Sequence, residues 1–273
     1  MPSAAGRTIL VTGATSGIGL ETARALARTG GRVIVAVRDA VRGAAVVQQL
    51  VAAGGEAELL VADLASYTSV RQAAAKLLER HRALDVLVNN AGIVTRHRQV
   101  TGDGHERMWQ TNFLGHVLLT RLLLGALRRG AAPRIVNVSS EAHRSGKIPW
   151  EDVELRRGFG PLRMYAQSKL AQVLYTRELA RREPSIAVTA LHPGAIWTGI
   201  WRPAPAPVRW LLRLVLGPAD KGAAPVVRLA VATDVAGATG VYFNRWKEAT
   251  PAPQGQDDAA AARLWDLAEH ATA

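Results

Sequence analysis

The sequence predicts an α/β fold in which residues 1–273 form a single doubly wound domain, a seven-stranded parallel sheet with helices on both faces. Short β-branched runs alternate with longer segments of helical period, as βαβ units do. A glycine-rich turn joins the first run to the first helix. The length of 273 residues suits one core covered on both sheet faces.

Taken in order, the predicted strands are Thr8 to Thr12, Arg32 to Val37, Ala57 to Val61, Val86 to Asn89, Arg134 to Val138, Ala187 to Leu191 and Gly240 to Phe243. Each is a short apolar run of strand length, too brief for a helix. Helices are predicted near 18–29, 40–53, 67–81, 104–129, 163–182 and 222–232. Gly30/Gly31, Gly54/Gly55 and Gly130 stand where three of them stop, the usual place for a residue free to take positive φ. Trp197 to Pro218 is the one local shift in composition, rich in proline and tryptophan, and Thr250 to Asp258 reads as a loose polar tail before a final helix near 259–270.

Composition narrows the function. There is no cysteine, which excludes disulfides and cysteine-based metal sites and suits a cytoplasmic location. The start, MPSAAGRTILVTG, runs straight into a strand and does not read as a signal peptide. Apolar runs such as Leu118 to Leu124 fall well short of the roughly 18 residues that span a bilayer. A formal charge of +12 raises the question of nucleic acid, but the arginines are scattered along helices and no recognition motif accompanies them. His116, His143 and His192 stand at unrelated positions, so no metal site is expected.

After the first strand come Gly13-Ala14-Thr15-Ser16-Gly17-Ile18-Gly19 and an alanine-rich helix. Glycines at this spacing let the backbone close tightly and let N–H groups approach a pyrophosphate at the positive helix end. The second strand ends Ala36-Val37-Arg38-Asp39. An acid at its last position would bind ribose hydroxyls; here that position is Val37, with Arg38 next. Arg38, helped by Thr15 or Ser16, reads as a clamp for a 2′-phosphate and so for NADP(H), the alternative being a solvated loop arginine paired with Asp39. Further on, Tyr165 and Lys169 stand four apart in a helical stretch, hence on one face. Bringing a phenol from a pKa of about 10 to near 7 needs roughly 4 kcal/mol, within reach of a nearby ammonium in a partly desolvated site.

These pieces together resemble the short-chain dehydrogenase/reductase family, with its Rossmann fold, over almost the whole chain. Thr12 to Gly19 looks like the family's cofactor motif, with Gly13, Thr15, Ser16, Gly17, Ile18 and Gly19 at the nucleotide. Asp63-Leu64 matches its adenine-contacting pair, and Asn89-Asn90-Ala91-Gly92 matches its cofactor-supporting motif, which implies contacts from Asn89, Ala91 and Gly92. Asn112 matches the helix asparagine that holds a relay water, and Ser140 the substrate-orienting serine. Tyr165 and Lys169 match the acid/base pair, both also meeting the cofactor. His192-Pro193-Gly194 with Ile196 and Thr198 matches the segment facing the nicotinamide. Ser139 competes with Ser140, but strand alternation lets only one face the cofactor, and the family pattern favours the second.

The resemblance implies an NADP(H)-dependent oxidoreductase moving a hydride between nicotinamide and a carbonyl or alcohol. A gap of 25 residues from Ser140 to Tyr165 leaves an extra loop, Glu141 to Leu162. With Met164 to Ala171 and Leu191 to Gly194, it looks like the retinol-dehydrogenase-like and protochlorophyllide-reductase-like branch, whose substrates are lipophilic. The segment near 197–218, with Trp197, Trp201 and Trp210 among Pro203, Pro205 and Pro207, reads as a cover over a bulky substrate. Dimer packing or a membrane-surface helix at Arg209 to Arg213 are its alternatives. Related enzymes imply a homodimer or homotetramer, with Gly104 to Arg129 and Arg163 to Arg182 as candidate contacts. The same acid/base groups would also serve a cyclase, and the nucleotide fold alone a sensor.

Overall fold

The computed structural model describes residues 2–197, 210 and 216–273. The strands are β1 Thr8–Thr12, β2 Arg32–Val37, β3 Glu56–Val61, β4 Val86–Asn89, β5 Arg134–Val138, β6 Ala187–His192 and β7 Val241–Asn244. All seven pair parallel. An eighth strand, β8 Lys247–Ala249, adds antiparallel to β7 and corrects the expected all-parallel count. Its three residues carry no strand pattern; a tight turn through Arg245, at φ 56°, folds them back onto β7. Lys247 and Glu248 then charge the sheet edge, which discourages pairing with another chain.

The sheet order is β3-β2-β1-β4-β5-β6-β7-β8. Winding reverses between β1 and β4, so a crevice opens beyond their carboxyl ends. Alternate side chains of the central strands feed two cores. Leu10, Leu87 and Ile135 face one layer, built on α3 Tyr67–Arg80, α5 Gly115–Leu127, α6 Pro161–Arg182 and α8 Asp258–Ala271. Val11, Val88 and Val136 face the other, built on α1 Gly17–Arg28, α2 Ala40–Ala52 and α7 Ala219–Val231. Burial on both faces explains why these strands read as continuous apolar runs.

Two expectations change. The predicted helix 104–129 is three pieces: α4 Arg107–Trp109, a π-helical turn Gln110–Leu114, and α5. The tail after Thr250 is held in place, with the Ala252 N–H donating to His143 Nε2 at 3.1 Å and the Gln254 amide donating to the carbonyls of Arg144 and Gly146. From there α8 runs across the helix faces that the sequence offered for self-association. Trp265 stacks on Tyr175 of α6 with ring centroids 5.3 Å apart, and Glu269 pairs with Arg121 of α5 at 2.9 Å.

The loop between β5 and α6 is also well anchored. Its Glu154 accepts the Glu106 N–H and meets His105, while Gln167 of α6 donates to the Val153 carbonyl. Leu155 takes a φ of 45° and is wholly buried, so packing overcomes the local strain.

Candidate active site

The glycine-rich turn lies against the end of β4. Gly13 has a φ of 70°, and a Cβ there would stand 2.8 Å from Ala91 Cα. A Cβ on Gly19 would fall 2.3 Å from Asn90 Nδ2 and 2.6 Å from the Gly13 carbonyl. Neither position has room for a side chain. Thr12 Oγ1 accepts the N–H groups of Asn90 and Ala91 at 2.9 and 3.0 Å, and Asn90 Nδ2 donates to the Thr12 carbonyl at 2.8 Å. Asn90 thus performs the stitching.

Asn89, expected at the cofactor, is instead fully buried, its Nδ2 donating to Thr120 and to Asn137. Strand alternation separates the two neighbours: adjacent side chains cannot both face the turn. Ser16 precedes α1 in extended conformation with no side-chain capping bond, leaving first-turn N–H groups with Thr15 and Gly17 to receive an anion. Ile18 and Ile196 both come against Gly222, where a Cβ would lie 3.0 and 2.8 Å from their Cγ1 atoms. The chain after β6 therefore closes on the start of α1.

At the end of β2, Arg38 is exposed, and Asp39 is not its partner: the Asp39 carboxylate caps α2, accepting the Arg42 N–H at 3.0 Å. Arg42 reaches back to the Thr15 carbonyl at 3.3 Å, so a second guanidinium stands beside the glycine turn. Arg38 precedes α2, so no helical spacing linked the two arginines along the chain; the first turn of α2 carries Arg42 there. Asp63 is half-buried at the end of β3 with one oxygen accepting the Ala65 N–H, and Leu64 is buried, its carbonyl against Gly115.

The side chains expected at the reacting end gather where β5 meets α6. Ser139 is buried and donates to the Lys169 carbonyl at 2.8 Å, while Ser140 Oγ accepts the Ala142 N–H at 3.2 Å and stands beside the Tyr165 phenol, where it holds back the rise in the phenol's pKa. The structure thus brings Ser140, not Ser139, to the phenol. Lys169 Nζ lies 5.6 Å from the Tyr165 ring centroid and donates to the Val138 carbonyl at 2.8 Å and to Gln172 Oε1 at 3.0 Å. Gly92 borders the ammonium, for a Cβ there would be 3.6 Å from Nζ. Asn112, within the π turn, accepts the Ile93 N–H at 2.8 Å and donates to the Ile93 carbonyl and to Ser168. Its side chain therefore pins the loop after β4, and its carbonyl is taken by Gln172 at 2.9 Å. Gln172, three after Lys169 on one helix face, went unnoticed because glutamine carries no chemical signature of its own.

Pro193 is buried beyond β6, Gly194 takes a φ of 106°, and Trp197 donates its N–H to the Gly217 carbonyl at 2.9 Å. The last contact ties the base of the segment read as a cover. Thr198, Trp201, Pro203, Pro205 and Pro207 lie outside the described residues.

Burial pushes the Tyr165 phenol up to about 12, offset in part by Ser140, and pushes Lys169 down to about 7. Both shifts oppose charge in a dry site, so each group's charged state depends on what is brought against it. Among the described residues no His, Asp and Glu cluster fit to hold a metal is found. No helix there is long and apolar enough to cross a membrane.

Residues 7–208 match the family described as short chain dehydrogenase. Human retinol dehydrogenase 13 is 40% identical over 95% of this chain and 82% of its own length. A crystal structure of an uncharacterized protein from Mycobacterium Paratuberculosis superposes with a TM-score of 0.82 at 36% identity, covering all of this chain and 95% of that one. The RhlG/NADP active-site complex of Pseudomonas aeruginosa superposes with a TM-score of 0.74 at 30% identity, over 89% of this chain and 95% of that one.

Proposed function

The chain belongs to the short-chain dehydrogenase/reductase family, in its retinol-dehydrogenase-like branch, as an oxidoreductase acting on alcohols or carbonyls, and from this premise we propose that it uses NADP(H) on a bulky lipophilic substrate. The observation that carries the reading is the meeting of Ser140, Tyr165 and Lys169 beside a turn too tight for any side chain at Gly13 and Gly19.

The residues present fit the cofactor. The pyrophosphate would lie on the free N–H groups of the first turn of α1. Arg38, with Arg42 and the hydroxyls of Thr15 and Ser16, would hold the 2′-phosphate, a task for fixed, planar, always charged donors. Asp39 is committed to capping α2 and does not compete for ribose hydroxyls. The NADP bound to the Pseudomonas aeruginosa relative supports the same choice. When bound, the nicotinamide gives or takes the hydride.

The protein's own groups do the rest. A substrate oxygen between Ser140 and Tyr165 would receive two hydrogen bonds, and in reduction Tyr165 donates the proton. The Lys169 ammonium stabilises the phenolate left behind. Ile93, Val94, Trp150, Val153 and Phe159 are partly buried against the same core as Tyr165, an apolar surround that suits a lipophilic molecule.

Purified protein mixed with NADPH and a panel of aldehydes and ketones, retinal and short polar compounds among them, tests the reading through nicotinamide absorbance. Turnover should favour the apolar members and drop by about a hundredfold or more in Tyr165→Phe. Absence of turnover across this panel, and across the corresponding alcohols with NADP+, would sink the redox reading.

A further inference from the structure

The π turn leaves the Asn112 carbonyl with unusual partners. In a regular helix it would accept the N–H four residues on; a π turn widens that spacing and turns the oxygen aside. Two side chains reach it, Gln172 Nε2 at 2.9 Å and His116 Nδ1 at 3.2 Å. A carbonyl only accepts, so both nitrogens carry hydrogen. This fixes the Gln172 amide, whose Oε1 must face Lys169 Nζ at 3.0 Å. It also fixes His116, whose Nε2 is left to accept from the Thr12 hydroxyl at 3.0 Å. Gln172, His116, Lys169 and Asn112 are all at most 3% exposed.

A buried ammonium is costly unless acceptors surround it. Lys169 has two, the Val138 carbonyl and Gln172 Oε1, which leave its third hydrogen for the Tyr165 side of the site. We propose that Gln172 is a positioning residue, its carboxamide locked by the Asn112 carbonyl so as to hold Lys169 charged and aimed at the phenol. The proposal rests on the reading of Tyr165 and Lys169 as the acid/base pair. The ionisable groups facing Lys169 are Tyr165 on its own helix and His116 on α5, kept neutral by burial, while β5 contributes the Val138 carbonyl.

Two full-length variants test it. Gln172→Met keeps the length and loses both polar atoms; Gln172→Asn keeps an amide but shortens the reach. In the wild type, kcat/KM for NADPH reports the free enzyme and should decline as pH rises through about 7, where Lys169 loses its proton. Losing an acceptor destabilises the ammonium, so in Gln172→Met the decline should move to lower pH by about one pH unit or more. At neutral pH the rate should fall roughly tenfold or more, with NADPH affinity within about threefold of wild type. Gln172→Asn should recover part of the profile.

Side-chain NMR of protein labelled at lysine gives a readout independent of turnover. Lys169 is the lysine that burial pushes down to about 7, so its ammonium titrates in an accessible pH range. That titration should move to lower pH by about one unit in Gln172→Met, or by a smaller step in Gln172→Asn if the methionine variant does not fold. Variant pH profiles and Lys169 titrations that superimpose on wild type, whatever the change in stability, overturn the proposal. If the wild type turns over no carbonyl, the redox reading fails by itself, and the Lys169 titration still decides the role of Gln172.

Discussion

Arg38 stands exposed beyond β2 while the nearest carboxylate, Asp39, is engaged in capping α2. A guanidinium in that setting has its donors free for a ligand, and a charge-assisted hydrogen bond to phosphate contributes about 1.5–3 kcal/mol. Arg38→Ala should therefore weaken NADPH binding by roughly ten- to a hundredfold and leave NADH nearly unchanged. Fluorescence titration with both cofactors checks this; equal losses for the two would return Arg38 to the solvated surface. The same scale separates neighbours of one residue type. Ser139 and Ser140, like Asn89 and Asn90, differ only by which face of the strand they take, yet one of each pair is a buried strut and the other meets the site.

At the scale of elements, the π turn joins the two ends of the site. Thr12 of β1, His116 of α5, the Asn112 carbonyl, Gln172 and Lys169 form one chain of hydrogen bonds from the glycine turn to the ammonium. Its neutral histidine has a consequence for stability. Burial pushes His116 down to about 3, whereas an unfolded histidine titrates near 6.5. The unfolded chain therefore binds the proton first: stability is full above pH ~6.5 and is lost as pH falls toward 3, by about 1.4 kcal/mol per unit. His143 and His192, also shifted downward by burial, act in the same sense. Urea unfolding of wild type and His116→Asn between neutral pH and pH ~5 should show a shallower pH slope in the variant. Equal slopes would mean that His116 is already charged in the folded protein.

Across the whole molecule, α8 closes the outer layer. Trp265 is 9% exposed, stacked on Tyr175 with the Arg182 guanidinium 4.7 Å above its ring. Truncating so large a buried ring costs about 3–5 kcal/mol, so Trp265→Ala should lower the unfolding free energy by that amount in urea titration. A loss below about 1 kcal/mol would show α8 to be loosely attached. The strand runs, the glycine turn, Arg38 and the Tyr165/Lys169 spacing were all legible in the chain, because each is a relation between residues near one another along it: a short apolar run, a helical turn, a positive φ. Only tertiary structure decided that β8 would be recruited, that the helix 104–129 would break into a π turn, that the polar tail would dock, and that Gln172 would join Lys169 to Asn112. These depend on which side chain meets which across separate elements, and a one-dimensional pattern of polarity is equally satisfied by many such pairings until the packed core selects one.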